Sequence, residues 1–140
     1  PAGSLGKKLL LTVSEIMHSG DDLPIVLVTT DVKSVLLNMS EKRLGVAIVV
    51  DDDDRLIGIV TDGDIRRGLE KDDDLLNKTA DSLVQSEEPR WVTTDTLAIN
   101  ALEIMEKHAI TSLLVYENER RDLVPDGLVH IHDILRTGVM

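Results

Sequence analysis

The sequence predicts an α+β protein made of two pseudo-symmetric β-α-β-β-α units packed sheet to sheet. Segments of the first half recur, in the same order, in the second half. Short apolar runs that suit β-strands alternate with stretches whose apolar residues recur at helical spacing. Hydrophobic residues make up 42% of the 140-residue chain, which is enough for a packed interior, but each half alone is too small to bury a sheet. Two small units that share the burial are therefore expected.

An internal repeat carries this organisation. Four pairs of segments match in order: LTVSEIM (11–17) with KTADSLV (78–84), VTTD (28–31) with VTTD (92–95), VLLNMSEKRLGVAIVV (35–50) with NALEIMEKHAITSLLV (100–115), and GIVTDGDIRRGL (58–69) with GLVHIHDILRTGV (127–139). The offset between matched residues drifts from 64 to 69, which places small insertions in the loops. Four matches in one order are hard to obtain by chance, so the two halves are predicted to share one fold.

Each repeat is predicted to open with a short helical turn, at 13–17 and at 80–84, and to run through an extended segment into VTTD. Asp31 and Asp95 are predicted to start the first helices, because an aspartate oxygen can accept the free N–H groups at a helix N-terminus. Apolar residues then follow at helical spacing, namely Val32, Val35, Leu36 and Met39 in the first repeat and Ala98, Ala101, Leu102 and Met105 in the second.

Two strands and a closing helix complete each repeat. The strands are expected at 46–50, 56–60, 112–116 and 127–129, and the closing helices near 64–70 and 133–137. DDDD (51–54) lacks the ligand spacing of an EF-hand calcium loop and is predicted to be a hairpin turn. The expected boundaries are 1–11 for a tail from a preceding domain, 12–77 for the first repeat and 78–140 for the second, with EKDDDLLNK (70–78) as the connector.

Composition argues against several functions. A net charge of −11, with one Trp, one Tyr and no Phe, disfavours nucleic-acid binding, because a polyanion is repelled and few rings can stack on bases. Any anionic ligand must therefore meet a local positive site. The chain has no cysteine, so it has no disulfide framework and no thiolate metal site. The longest apolar runs are too short to span a membrane, and a cytoplasmic location without membrane contact is expected.

No catalytic set and no metal site are predicted. The chain has no nucleophile elbow, no cysteine nucleophile and no glycine-rich phosphate loop after a strand. His130 and His132 would share one face of a continued strand, but a third strong ligand is not near them, and structural zinc usually takes four. His18 and His108 are expected to be ordinary surface or cleft residues.

The two closing motifs carry a family resemblance. From Leu11 to its C-terminus the chain resembles a tandem pair of cystathionine-β-synthase (CBS) domains, called a Bateman module. The signature is glycine, two apolar residues, Ser or Thr, two variable residues and Asp. GIVTDGD (58–64) matches it fully, whereas GLVHIHD (127–133) has His130 at the hydroxyl position. The resemblance implies a regulatory domain pair that binds ligands in the clefts between its halves.

A narrower resemblance covers the start, middle and end of the chain. PAGSLGKKLLLTVSEIMHSGDDLPIV (1–26), TDGDIRR (61–67) and HIHDILRTGV (130–139) are similar to the C-terminal part of an arabinose-5-phosphate isomerase, in which a sugar-isomerase (SIS) domain precedes the pair. The resemblance implies a fragment that is not an enzyme by itself. Its parent would interconvert ribulose 5-phosphate and arabinose 5-phosphate for synthesis of the lipopolysaccharide sugar Kdo. The implied partners are the attached SIS domain and further copies of the chain, in a CBS dimer and a tetrameric parent.

The implied effector is a nucleotide or nucleotide sugar. CMP-Kdo would be a downstream feedback signal, and AMP or ATP is the generic alternative; no cofactor is required. Three hypotheses stay open, which are a regulatory sensor, a structural dimerisation module with empty clefts, and a stand-alone adenine-nucleotide sensor. The tail-like segment 1–11 argues against the third.

Candidate ligand-binding residues lie in the closing motifs. Thr61 and Asp64 fit a helix capping box, but Asp64 and its match Asp133 also suit hydrogen bonds from sugar hydroxyl groups. His130 is expected to be a poor N-cap residue, and Asp133 is nevertheless present, which favours the ligand role. His130 itself is expected to donate a hydrogen bond to the ligand. The difference between Thr61 and His130 predicts two inequivalent clefts.

Cationic and hydroxyl groups complete the candidate set: Arg67, Arg136, Thr111 and Ser112. The two arginines match across the repeat and are either solvent-exposed charges or guanidinium groups that bind a phosphate. The two hydroxyl residues replace a Gly-Val pair of the first repeat. In Bateman modules residues at this strand start contact the base or sugar, which implies the same role here.

Overall fold

The computed structural model describes residues 2–85 and 87–139, with only the backbone described for residues 2–5. Residues 1, 86 and 140, which belong to the predicted tail and second repeat, lie outside the described residues. The described helices and strands are, in chain order, α1 (Ala2–Leu9), β1 (Ile25–Leu27), α2 (Val32–Lys42), β2 (Val46–Val50), β3 (Leu56–Thr61), α3 (Asp62–Lys71), β4 (Trp91–Thr93), α4 (Ala98–His108), β5 (Ser112–Tyr116), β6 (Gly127–His130) and α5 (Ile131–Arg136). The predicted β-α-β-β-α order is confirmed in both repeats.

The two sheets have the same topology. In the first sheet, β1 pairs in parallel with the central strand β2, which pairs antiparallel with β3. In the second sheet, β4 pairs in parallel with the central strand β5, which pairs antiparallel with β6. The predicted α+β class is therefore confirmed. Among the described residues, no helix combines the length and the apolar character needed to cross a membrane.

The chain forms two compact units that exchange their opening segments. The described residues of the β1–β3 unit fall within Asp21–Pro89 and Asp122–Val124, and those of the β4–β6 unit fall within Pro1–Gly20, Arg90–Arg121 and Pro125–Met140. The start of the first repeat thus belongs to the β4–β6 unit, and the start of the second repeat belongs to the β1–β3 unit. The boundary predicted between 77 and 78 follows the sequence repeat and remains a prediction about domains.

The predicted helical turns in the opening segments are confirmed as 3₁₀ turns, Val13–Glu15 in the β4–β6 unit and Ala80–Leu83 in the β1–β3 unit. Each opening segment also satisfies the start of a helix. The Leu11 carbonyl accepts a hydrogen bond from the Ala98 N–H, and the Lys78 carbonyl accepts one from the Val32 N–H, both at 2.8 Å. Because the first N–H groups of a helix have no partner within it, these bonds stabilise α4 and α2.

The first helices of the two repeats begin differently. Asp31 caps α2 as predicted, since its Oδ2 accepts from the Ser34 N–H at 3.1 Å. The prediction that Asp95 starts α4 is wrong, because the helix begins at Ala98 and Asp95 instead accepts a hydrogen bond from the Thr93 hydroxyl. Asp95 lies in a turn after β4, closed by a hydrogen bond from the Thr96 N–H to the Thr93 carbonyl at 3.1 Å. Leu97 is therefore the residue that precedes the helix, and its side chain accepts no capping hydrogen bond.

Each unit has its own aliphatic core. The β1–β3 unit buries Val26, Val32, Val35, Met39, Ala47, Val49, Val60, Ile65, Leu75, Ala80 and Leu83. The β4–β6 unit buries Val13, Val92, Ala98, Ala101, Leu102, Met105, Leu113, Val115, Val129, Ile134 and Val139. Both cores thus include residues from an exchanged opening turn. Leu75, in the predicted connector 70–78, is 4% exposed, so this segment packs into the β1–β3 core as well as joining the repeats.

The predicted hairpin turn at 51–54 is confirmed between the antiparallel strands β2 and β3. The Asp51 carboxylate accepts from the N–H groups of Asp53 and Arg55, both at 2.9 Å. Asp54 has a φ of 59°, in the left-handed region that aspartate tolerates better than most residues. The aspartate run therefore builds a turn.

Candidate functional site

The closing motif of the β1–β3 unit forms the corner between β3 and α3. The Thr61 Oγ1 accepts from the Asp64 N–H at 3.2 Å, and the Asp64 Oδ2 accepts from the Thr61 N–H at 2.8 Å. This reciprocal capping box satisfies two backbone donors at the helix start. Asp64 is thereby held in one orientation, with its side chain 7% exposed.

Arg67 contacts the same carboxylate from the solvent side. Its Nη2 donates to the Asp64 Oδ1 at 2.7 Å, while the arginine side chain is 59% exposed. A Cβ on Gly63 would lie 3.0 Å from the Arg67 Nη1, so the missing side chain at Gly63 gives the guanidinium room to fold over the first turn of α3. Because Arg67 is exposed, its guanidinium is accessible to an anion from the solvent.

The closing motif of the β4–β6 unit forms the equivalent corner between β6 and α5. The Asp133 Oδ2 accepts from the His130 N–H at 2.9 Å, as Asp64 does from Thr61. The His130 Nδ1 accepts from the His132 N–H at 3.1 Å. The prediction that His130 is a poor N-cap is therefore wrong, because a ring nitrogen supplies the acceptor that a hydroxyl oxygen would supply. Capping also accounts for the presence of Asp133.

His130 is held in its neutral form by its surroundings. Burial lowers the pKa of His130 from its ordinary value of 6.5, and the neighbouring His132 lowers it further. The two rings stack, with centroids 4.8 Å apart and planes at 27°. Since the Nδ1 of His130 accepts a hydrogen bond, the hydrogen of the neutral ring is on Nε2, which is then a donor.

Two further side chains meet at Asp133. The His18 Nε2 lies 2.9 Å from the Asp133 Oδ2, and the Arg136 Nη1 lies 3.7 Å from the Asp133 Oδ1. Arg136 is 78% exposed and Asp133 is 11% exposed. His18, expected to be an ordinary surface or cleft residue, therefore reaches the predicted site with its ring.

Thr111 and Ser112 lie at the start of β5, beside the β6–α5 corner. The Thr111 carbonyl accepts from the Ile131 N–H at 2.8 Å, and Ser112 pairs with His130 across the sheet. The first repeat has the same backbone contact, in which the Gly45 carbonyl accepts at 3.2 Å from the first residue of α3. The hydroxyl residues therefore lie at the same end of the sheet as the other candidates.

The glycine of each closing motif is required by an exchanged opening segment. A Cβ on Gly58 would lie 2.4 Å from the Val84 Cγ1, and a Cβ on Gly127 would lie 2.3 Å from the Met17 Sδ. Val84 and Met17 are matched positions of the repeat. The glycines therefore admit the ends of the opening segments.

The structure thus groups the predicted residues by unit: Thr61, Asp64 and Arg67 at the β3–α3 corner, and Thr111, Ser112, His130, Asp133 and Arg136 at the β6–α5 corner. Their contacts with a ligand remain predictions. Sequence reasoning missed His18, which reaches Asp133 only through the exchange of opening segments. Within residues 2–85 and 87–139, no three His, Asp or Glu side chains are arranged so that they could hold one metal ion.

Comparison with known families identifies the family to which the chain belongs. The model of the CBS domain matches the chain twice, at residues 13–71 and 81–139. The chain belongs to the CBS-domain family. Its two matched stretches cover both repeats and both closing motifs, so the predicted tandem CBS pair is confirmed.

The CBS pair is also similar to known isomerases. It is 41% identical over 140 residues to arabinose 5-phosphate isomerase KdsD of Pseudomonas aeruginosa, covering 100% of this chain and 42% of the relative. It is 38% identical over 140 residues to KdsD of Escherichia coli K12, covering 100% of this chain and 41% of the relative. The chain therefore spans about two-fifths of the length of these relatives.

Solved CBS structures have the same fold. The structure of CBSX2 in complex with AMP gives a TM-score of 0.73 at 23% identity, over 92% of this chain and 96% of that one. The CBS domain of a bacterial CNNM/CorC family Mg²⁺ transporter in complex with ATP gives 0.72 at 18% identity, over 97% and 92%. Hypoxic Response Protein I with two coordinated zinc ions gives 0.69 at 28% identity, over 89% and 97%.

Proposed function

We propose that this CBS pair is the regulatory, ligand-sensing module of an arabinose-5-phosphate isomerase. The observation that carries the proposal is its similarity to KdsD over all 140 residues, at 41% identity for the Pseudomonas aeruginosa relative. The matched corners support it, because each holds a carboxylate rigidly beside an exposed arginine. The module is not itself catalytic, and it acts in the cytoplasm on a covalently attached SIS domain that converts ribulose 5-phosphate to arabinose 5-phosphate.

The ligand is a nucleotide or nucleotide sugar. Asp64 and Asp133 accept hydrogen bonds from ribose or sugar hydroxyl groups. Thr61 and His130 each accept a helix N–H and keep one hydrogen to donate to the ligand. Thr111 and Ser112 add hydroxyl groups beside the base or sugar.

Phosphate binding is assigned to Arg67 and Arg136. Both guanidinium groups are exposed, at 59% and 78%, and each is already placed beside a site carboxylate. A chain with a net charge of −11 needs such local cations to attract an anion. CMP-Kdo is our first choice of effector, since it is the activated form of Kdo, the sugar whose synthesis the isomerase feeds. AMP and ATP are the alternatives, which the nucleotides in the CBSX2 and CNNM/CorC structures support.

Regulation follows from linkage. A nucleotide that binds one arrangement of the CBS pair more tightly than another shifts the population toward that arrangement by its difference in affinity. The activity of the attached isomerase domain then follows from the arrangement of the CBS pair that the nucleotide favours. Pairing of CBS modules within a tetrameric parent enzyme would let one binding event act on several active sites.

Calorimetric titration of the module with CMP-Kdo, CMP, AMP and ATP tests the proposal. We expect saturable binding of at least one nucleotide, and binding roughly tenfold weaker in either Asp64→Asn or Asp133→Asn, because a charged acceptor is lost while the amide oxygen still serves the cap. Asp52→Asn, at an exposed hairpin position, is the matched control. Folded protein that binds none of the four nucleotides would contradict the proposal.

One observation favours a second function, in which the module only assembles the isomerase and binds no ligand. Both oxygens of Asp64 already accept hydrogen bonds from within the β1–β3 unit, one from Thr61 and one from Arg67. A purely structural corner would have this arrangement. This second function would be supported if the folded module forms oligomers on its own and binds none of the four nucleotides. A stand-alone adenine-nucleotide sensor is less well supported, because the KdsD relatives match the whole chain.

A further inference from the structure

His18 lies outside the closing motifs, but its ring reaches Asp133. We propose that His18 couples the state of the Asp133 carboxylate to the opening segment Leu11–His18. A ligand bound to Asp133 would then stabilise the chain that directly follows α1. The identity of that ligand rests on the proposed function, whereas the coupling itself rests on the contacts within the β4–β6 unit.

The first contact joins the two side chains. The His18 Nε2 lies 2.9 Å from the Asp133 Oδ2, and since a carboxylate can only accept, the imidazole donates. The same oxygen accepts from the His130 N–H at 2.9 Å. The Asp133 Oδ1 faces Arg136 at 3.7 Å, beyond hydrogen-bond distance. A ligand hydroxyl can therefore use Oδ1 while His18 stays on Oδ2, so both hold one carboxylate in one orientation.

The backbone of the same residue is fixed to β6. The His18 N–H donates to the Leu128 carbonyl at 2.8 Å, and the Leu128 N–H donates to the His18 carbonyl at 2.9 Å. Met17 packs where a side chain on Gly127 would be. Earlier in the opening segment, the Val13 N–H donates to the Thr96 carbonyl of the same unit at 2.8 Å. His18 is thus the end of a continuous run of contacts that begins at Leu11.

The β1–β3 unit offers no equivalent link among its described residues. The second partner of Asp64 is Arg67, which belongs to the same helix as Asp64. Gln85 matches His18 in the repeat, and its side chain donates to the Leu83 carbonyl at 3.4 Å. Asp64 is therefore tied to its own helix, and Asp133 is tied to an opening segment. The coupling is expected at one corner and not at the other.

Ligand titration of His18 variants tests the coupling. AMP, ATP and CMP are titrated into wild type, His18→Ala, His18→Gln and the matched control Gln85→Ala. We expect His18→Ala to weaken nucleotide binding about fivefold or more, Gln85→Ala to leave it unchanged, and His18→Gln to restore it, because the glutamine amide keeps a donor near the Nε2 position. Rescue by glutamine would show that His18 acts through its hydrogen bond to Asp133 and not only through the packing of its ring. Wild-type affinity in His18→Ala would overturn the proposal.

Hydrogen exchange of Leu11–His18 in the ligand-free protein gives a second, independent readout. We expect His18→Ala to speed exchange there about fivefold and Asp133→Asn to speed it less, because the amide oxygen still accepts a weaker hydrogen bond from His18. The double variant should exchange no faster than His18→Ala, because the charge of Asp133 acts on the segment through His18. Additive effects would overturn the coupling. If wild type binds no nucleotide, the proposed function fails, and this double-mutant cycle still decides whether His18 couples Asp133 to the segment. Circular dichroism confirms that each variant is folded.

Discussion

Thr61 and His130 occupy matched positions and perform the same local task with different atoms. Each accepts a helix N–H, through a hydroxyl oxygen in one case and the ring Nδ1 in the other. Each is paired with an aspartate that accepts the N–H of the capping residue itself. The histidine version differs in one respect, since a protonated ring has no lone pair left for the cap. Protonation therefore disrupts the cap at the β6–α5 corner, whereas the Thr61 hydroxyl at the β3–α3 corner does not titrate in this way.

Protonation of His130 should lower the stability of the module. Burial lowers the pKa of His130 in the folded protein, so the unfolded chain takes up the proton first as the pH falls. The stabilisation by the neutral ring is complete above the ordinary value of 6.5 and is lost as the pH falls through the lower folded value. We expect urea unfolding from about pH 7.5 to about pH 5.5 to show a larger loss of unfolding free energy in wild type than in His130→Thr.

His130→Thr is the matched comparison because it installs the capping residue of the first repeat. Other titrating groups stay in both proteins, so the difference between the two pH profiles isolates His130. Identical pH profiles would contradict a capping role for the neutral ring.

At the scale of elements, the opening segments explain features that the closing motifs alone do not. Their 3₁₀ turns contribute core residues, and their backbones satisfy the starts of α2 and α4. Their ends, Val84 and Met17, fill the space that a side chain on Gly58 or Gly127 would occupy. The glycine of the closing motif is thus a packing requirement between a strand and an exchanged turn.

Gly58→Ala should destabilise the module by about 1–3 kcal/mol, because the new Cβ overlaps the Val84 side chain and one of them must move. Val84→Ala in the same chain should recover part of this loss by making room. Gly6→Ala is the control, since a Cβ at that helical position meets no atom within 4 Å. Urea unfolding of the four proteins checks the order. A Gly58→Ala variant as stable as wild type would mean that the strand and turn are not in this contact.

At the scale of the whole molecule, the repeat predicted the order of elements because each half carries the same apolar spacing. Hydrophobic spacing also located α2 and α4, and the sequence predicted the capping box of Thr61 and Asp64. The exchange of opening segments was not predictable, because local patterns do not say which sheet a turn packs on. The contact between His18 and Asp133 depends on that exchange, and so sequence reasoning missed it.

The central claim is that nucleotide binding at these corners regulates an isomerase, and activity of the full-length parent enzyme tests it most directly. Conversion of ribulose 5-phosphate to arabinose 5-phosphate is measured with and without a saturating concentration of the nucleotide that the module binds. The account predicts a change in kcat/KM that is several-fold in wild type, within the usual range of allosteric coupling, and that needs about tenfold more nucleotide in either Asp133→Asn or Asp64→Asn. Equal activity with and without the bound nucleotide in wild type would contradict it.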